Sequence, residues 1–151
     1  MKVKNILLDQ QAIERSLKRI SHEIIEKNKG IENIVLFGIK TRGVPMAQRI
    51  SNFIEEIEGI KIPVGTIDIT FYRDDLTTIC KTPILKSSKL DIETKNKKVI
   101  IVDDVLYTGR TARAAIECIL NNGRANSIQL AILIDRGHRE LPIRADYIGK
   151  N

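Results

Sequence analysis

Cysteine is scarce in this 151-residue chain: there are two, Cys80 and Cys118, and they do not form a C-x-x-C pair. They suggest no disulfide framework, and a reduced, cytoplasmic location is the simplest inference. Long apolar runs are missing as well. None approaches the roughly 20 residues needed to span a bilayer, and the first residues lack the h-region of a secretory signal. There is no internal repeat and no low-complexity segment. The expectation is one soluble domain over residues 1–151, with 42% hydrophobic residues to supply its core. The formal charge of +6 favours anionic partners, either phosphorylated metabolites or nucleic acid.

The periodicity then gives an order of elements. Residues 4–8 read as a short strand, and Asp9 as the N-cap of a helix whose apolar stripe is Ile13, Leu17, Ile20 and Ile24, stopped by Gly30. Asn33 to Phe37 reads as a buried strand. Pro45 stands near the start of a second helix that runs toward Gly59, and residues 64–71 alternate as a half-exposed strand. From Tyr72 to about Asn96 the periodicity is lost, which predicts a long active-site loop. A strand over 98–102, a helix over 111–120 capped by Gly123, and a strand over 128–134 complete the pattern, with a polar tail from Asp135. Alternating strands and helices imply an α/β fold with a mainly parallel central sheet flanked by helices.

The stretch Val99 to Thr111, V-I-I-V-D-D-V-L-Y-T-G-R-T, carries the chemistry. A buried strand ends in two adjacent carboxylates, Asp103 and Asp104, and a Gly-containing turn opens a helix. Carboxylates accept hydrogen bonds from vicinal ribose hydroxyls, and loop amides with a helix N-terminus receive a phosphate. Competing motifs fail. Gly38 to Gly43 has the glycine spacing of a P-loop, but Val44 and Pro45 stand where Lys and Ser/Thr are required; the G-x-G-x-x-G fingerprint is absent. A magnesium cluster of a receiver or phosphatase domain needs no Thr-Gly-Arg-Thr turn downstream, and an Asp pair that only caps the turn is the plain alternative.

Val99–Thr111 resembles the signature of the type I phosphoribosyltransferases. More narrowly, the chain is similar to the bifunctional pyrimidine-operon regulator/uracil phosphoribosyltransferase family. The matching segments are Gly38–Gly43 (GIKTRG), Asp68–Leu76 (DITFYRDDL), the 99–111 motif, and Asp135–Tyr147 (DRGHRELPIRADY), in order along nearly the whole chain. Residues 77–96 match poorly, and family members continue for a strand or two beyond Asn151. A closing strand of the sheet, or part of the subunit contact, is therefore expected to lie beyond that residue.

The resemblance implies a type I phosphoribosyltransferase fold with a small hood over 135–151 and a flexible loop over 72–96. It implies that Asp103 and Asp104 hold the ribose hydroxyls of phosphoribosyl pyrophosphate (PRPP) and contact Mg²⁺, mostly through PRPP. Thr108, Gly109, Arg110 and Thr111 cradle the 5-phosphate, and Val105, Leu106 and Tyr107 complete the nucleotide contact. Lys40, Thr41 and Arg42 offer two cations and a hydroxyl to pyrophosphate. Arg73 touches pyrophosphate once the loop closes, or else forms a surface cluster with its neighbouring acids. Asp135, Arg136 and His138 recognise the base, although His138 also suits an exposed tail. The implied reaction is uracil + PRPP = UMP + diphosphate.

A second role attaches to the first helix. Opposite its apolar stripe lie Arg15, Lys18, Arg19 and His22, a basic face suited to RNA phosphates and unpaired bases or, more plainly, to solvent. The resemblance favours RNA. It implies attenuation of a pyrimidine operon through its leader mRNA, dependent on UMP or UTP, with Lys27 and Lys150 as further contacts and a homodimer or higher homo-oligomer as the assembly. Two other readings stay open: a nucleotide-sensing regulator with negligible turnover, and a purine-type phosphoribosyltransferase without RNA binding.

Overall fold

The computed structural model describes residues 9–69 and 90–151. The expected strand over 4–8 and the candidate Arg73 lie outside the described residues. Helix α1 (Gln10–Lys27) starts where Asp9 predicts it: the Asp9 carboxylate accepts from the Ala12 amide at 2.8 Å. It ends three residues before Gly30, with Asn28 as its C-cap. Strand β1 (Ile34–Ile39) leads into α2 (Gly43–Glu58), which Gly59 closes in the left-handed conformation. Strand β2 (Val64–Ile67), β3 (Lys98–Leu106), α3 (Arg110–Leu120), β4 (Ser127–Asp135) and β5 (Tyr147–Lys150) follow.

The strands form one sheet in the order β2-β1-β3-β4-β5, and every pairing is parallel. Parallel strands joined by helices are covered on both faces, and the side chains alternate accordingly. Ile34, Leu36, Ile100 and Val102 face α1 and α2, where Leu17, Ile20, Ile24, Ala47, Ile50 and Ile54 meet them. Val35, Phe37, Val99 and Ile101 face the opposite way, onto Ala112, Ala115, Cys118 and Ile119 of α3. Fully burying one such Ile or Phe contributes about 1.5–3 kcal/mol, so these two layers are the main source of stability.

Further differences from the sequence pattern lie at β3, α3 and the segment after β4. β3 runs to Leu106, so Asp103 and Asp104 belong to the strand's last turn of pairing, with Asp103 opposite Ile132 and Leu106 opposite Asp135. Asn121, not Gly123, caps α3. The segment that reads as a polar tail contains β5, whose Tyr147 is buried against the α1 side. At the opposite edge, the Asp91 carboxylate accepts from the Thr66 amide at 3.1 Å and from its hydroxyl at 3.2 Å, covering part of β2's open side. Among the described residues no helix is long and apolar enough to cross a membrane.

The chain leaves β1 for β2 on one side, then returns to place β3 on the other. This reversal between β1 and β3 makes a crevice outside their carboxyl ends, the place where open α/β sheets bind ligands. The two strands are in register, with Gly38 opposite Val102. Gly43, the first residue of α2, is packed so tightly that a methyl group there would lie 2.2 Å from the Val102 carbonyl oxygen. Gly43→Ala is therefore expected to cost about 1–3 kcal/mol through forced backbone displacement. Urea unfolding reads the loss, and an unchanged midpoint would contradict so close an approach.

Candidate active site

Two loops meet at the crevice. The first, Lys40 to Arg42, joins β1 to α2 and is exposed; the Lys40 amide donates to the Ile67 carbonyl of β2 at 2.9 Å. The second, Tyr107 to Gly109, joins β3 to α3. Gly109 has φ +97°, and a side chain there would press on Leu141 besides straining the turn. Neither α2 nor α3 receives a side-chain cap, so first-turn amides of both helices are left without the capping partner that Asp9 gives α1. The Arg110 amide is the exception, since it donates to the Thr108 hydroxyl at 3.2 Å.

A cleft of about 340 Å³ opens between these parts, lined by Asp103, Val105, Leu106, Tyr107 and Thr108–Thr111 together with Ile39, Ala112, Leu130 and Ile132. The structure thus gathers the sequence-predicted nucleotide residues from Asp103 to Thr111, save Asp104, into one wall. Asp104 stands at the rim, where its carboxylate lies 3.9 Å from the Arg42 guanidinium. Lys40 lies 4.0 Å from Asp68. The Nε of Arg110 donates to Glu140 at 2.7 Å, an exposed pair across the start of α3.

Asp103 is the electrostatic focus. Its carboxylate accepts from the Asp104 amide at 2.8 Å. Burial, reinforced by the neighbouring Asp104 charge, nevertheless pushes its pKa up to about 7. A carboxyl so placed gains from any donor or cation that enters the cleft. Among the described residues no three His, Cys, Asp or Glu side chains are grouped to hold a metal alone. Two adjacent carboxylates do fit the way Mg²⁺ is commonly held, by one or two acids plus substrate phosphate oxygens. Burial raises the Cys118 thiol to about 11, so it holds no nucleophilic thiolate at neutral pH.

A segment after β4 folds over the second loop. The amides of Glu140 and Leu141 donate to the Thr108 carbonyl at 2.8 and 3.1 Å, and the Arg136 amide donates to the Leu106 carbonyl at 2.8 Å. The Arg136 guanidinium lies over the Tyr107 ring at 5.1 Å, and the His138 ring meets it edge-on at 5.6 Å. The sequence-predicted base residues Arg136 and His138 are exposed beside the cleft, while Asp135 is half-buried. Sequence reasoning missed Arg139, which pairs with Asp135 at 2.6 Å and holds that carboxyl below the usual carboxylate range. Its signals were the i,i+4 spacing of the two and its place in the Asp135–Tyr147 segment.

The six basic candidates on α1 and β5 are all exposed. Arg19 is the most committed, since its guanidinium donates to the carbonyls of Ile148 and Gly149 at 3.1 and 2.7 Å. Lys27 pairs with Asp146 at 3.5 Å and lies over the Tyr147 ring. Arg15, Lys18 and His22 make no hydrogen bond or ion pair among the described residues, and Lys150 ends β5 beside the Arg19 contact.

A parallel sheet whose switch-point crevice brings paired carboxylates beside the starts of two helices defines the ligand-binding end of an α/β enzyme. The comparisons agree. Residues 4–150 match the phosphoribosyl transferase domain model. The chain is 64% identical over its full length to the bifunctional protein PyrR of Clostridium novyi (strain NT), covering 85% of that protein. It is 63% identical over 145 residues to the one of Clostridioides difficile (strain 630), or 96% of this chain and 82% of that protein. The chain belongs to the PyrR family of phosphoribosyltransferases. Among solved structures, a hypoxanthine phosphoribosyltransferase from Staphylococcus aureus superposes with a TM-score of 0.74 at 21% identity, covering 97% of this chain and 76% of that one. A hypoxanthine-guanine phosphoribosyltransferase from Bacillus anthracis gives 0.76 at 16%, covering 99% and 83%. These two show the fold.

Asp103 also makes stability pH-dependent. Its pKa stands above the unfolded value of 3.8, so its contribution is full below that pH and is lost as pH rises through about 7. In ligand-free protein, Asp103→Asn should flatten the stability profile between pH 3.8 and 7 and raise stability at more alkaline pH. Urea midpoints across that range test this, and parallel profiles for the two proteins would refute it.

Proposed function

We propose that the protein transfers the phosphoribosyl group of PRPP to uracil, giving UMP and diphosphate, and that it also binds pyrimidine-operon leader mRNA under the control of uridine nucleotides. The observation that carries this reading is the gathering of Asp103 and Thr108–Thr111 in one cleft wall, in a chain 62–65% identical to proteins named bifunctional. Resemblance to purine-type enzymes is confined to the fold.

In this reading the 5-phosphate lies against the Thr108–Thr111 turn, where amides, the α3 dipole and hydroxyl donors receive it. Asp103 and Asp104 accept from the ribose hydroxyls and fix the ring. Lys40, Thr41 and Arg42, with Arg73, face pyrophosphate. The bond from ribose C1 to pyrophosphate oxygen breaks as that from C1 to the uracil nitrogen forms, the electron pair leaves with pyrophosphate, and the proton of the nitrogen passes to the departing pyrophosphate or to water. Charge develops on the leaving pyrophosphate in the oxocarbenium-like transition state, so cations aimed at it favour that state over bound substrate. Mg²⁺, held by the two acids and PRPP, supplies further charge neutralisation when bound. Asp135, Arg136 and His138 orient the base. No covalent enzyme intermediate is required.

The exposed basic face of α1, with Lys27 and Lys150, serves the RNA. UMP, the product, acts as the signal: a nucleotide that prefers one conformation raises RNA affinity by that same differential. The family resemblance supports a homodimer or larger homo-oligomer, working in the cytoplasm where transcripts are made.

Incubation with PRPP, Mg²⁺ and single bases tests the enzyme. Turnover with uracil is expected, and Asp103→Asn with Asp104→Asn should lower kcat/KM by at least roughly 100-fold, the loss of several charge-assisted hydrogen bonds. Turnover with hypoxanthine alone would overturn the assignment, and no turnover with any base would leave a pure regulator. A leader-RNA gel shift tests the second role. UMP should strengthen retention, and Arg15→Ala with Lys18→Ala and His22→Ala should abolish it without changing uracil turnover; a shift indifferent to both would refute it.

A further inference from the structure

We infer that Arg139 is a positioning residue for base recognition: it holds the Asp135–His138 turn at a fixed place against the phosphate loop, so that the base seat stands in register with the ribose. This inference rests on the transferase reading above.

The turn that follows β4 holds one non-glycine residue, His138, in the left-handed region beside a glycine that enters it freely. Gly137 has φ +76° and His138 φ +56°, consecutive residues in the left-handed region, where a non-glycine residue such as His138 is uncommon. Such a turn persists only where its surroundings over-determine it. Local bonds are few: the Gly137 amide donates to the Asp135 carboxylate at 2.9 Å, and the Arg136 amide reaches back to Leu106. Arg139 supplies the rest.

Its guanidinium fork meets both oxygens of Asp135, at 2.9 Å from Nη1 and 2.6 Å from Nη2. The same Nη1 donates to the Tyr107 carbonyl at 3.0 Å, and Nε donates to the Ile143 carbonyl at 2.6 Å. One side chain therefore ties the end of β4, the first residue of the phosphate loop and the far side of the hood. Its exposure is only 24%, and that of Asp135 12%, so the pair is shielded and stronger than a surface ion pair. What it orients is the group beside the cleft: Arg136 over the Tyr107 ring and His138 against its edge.

The phosphate loop has separate support. Thr108 is held by the Glu140 and Leu141 amides, bonds that need no Arg139 side chain. Loss of the guanidinium should thus loosen the base seat while leaving the phosphate cradle in place. A lysine keeps the charge but presents one compact ammonium, which cannot span Asp135, Tyr107 and Ile143 together.

Calorimetric titration of UMP and of ribose 5-phosphate into wild type, Arg139→Gln and Arg139→Lys separates the two effects. Both variants should lose roughly tenfold more affinity for UMP than for ribose 5-phosphate, the size set by charge-assisted hydrogen bonds. A general folding defect would weaken both ligands alike. A differential of less than about threefold, on the same scale, overturns the role of Arg139. If Arg139→Gln does not fold by circular dichroism, Arg139→Lys decides under the same criterion. Wild-type protein that binds neither ligand would instead refute the transferase reading itself.

Discussion

The Gly43 main chain lies against the Val102 carbonyl so closely that only hydrogen fits between them, and this contact sets the spacing of the two halves of the site. Val102 directly precedes Asp103, and Gly43 directly follows the Lys40–Arg42 loop. A helix start leaning on the backbone of β3 therefore fixes the cations of one loop relative to the acids of the other. Parallel pairing of β1 with β3 brings both loops out at the same edge. The crevice needs no further device to be there, because the reversal of strand order creates it. What the side chains add is chemistry.

That chemistry is poised by charges that are paired only loosely. Arg42 stands 3.9 Å from Asp104 and Lys40 4.0 Å from Asp68, at or beyond the reach of a good hydrogen bond. Exposed pairs of this kind are worth about 0–1 kcal/mol, so an incoming polyanion can take these cations over at little cost. Asp103 is the opposite case, a carboxyl half removed from water beside a second acid. It is destabilised as an anion when the cleft holds no counter-charge or donor. Sugar hydroxyls and a divalent cation relieve it, and the fold thereby favours a ligand that brings both.

Much of this was legible in the sequence because it is local. Strand, acids, glycine turn and helix follow one another within Val99–Thr111, and each step depends on neighbours a few residues away. The Asp9 cap and the apolar stripe of α1 were readable for the same reason. The end of β3 was not, since its pairing past Val102 depends on β4, which supplies Ile132 to Asp135 as partners. β5 escaped because four residues with a single buried side chain carry almost no period. Long-range polar contacts were the least visible. Arg19 finds its carbonyls 129 and 130 residues further on, and Arg110 meets Glu140 across the hood. Both arginines were read as ligand contacts from the motif and the family resemblance, and neither signal shows which partner the fold supplies within the chain.

The engagement of Arg19 bears on how two binding surfaces share one small sheet. β4 ends in Asp135 at the cleft and pairs with β5 from Ala131 to Ile134. The β5 carbonyls in turn hold Arg19 on the exposed face of α1. In the proposed function, a nucleotide at the end of β4 and an RNA on α1 would act on elements that are hydrogen-bonded in series, without crossing the apolar core. Contiguity of this kind supplies a route but not a magnitude. The magnitude is limited by linkage: UMP can favour RNA binding by no more than RNA favours UMP, so weak discrimination at the cleft would permit only weak regulation. In the proposed RNA role, Arg15, Lys18 and His22 offer side chains without a hydrogen bond or ion pair among the described residues, beside an Arg19 whose guanidinium reaches the β5 carbonyls.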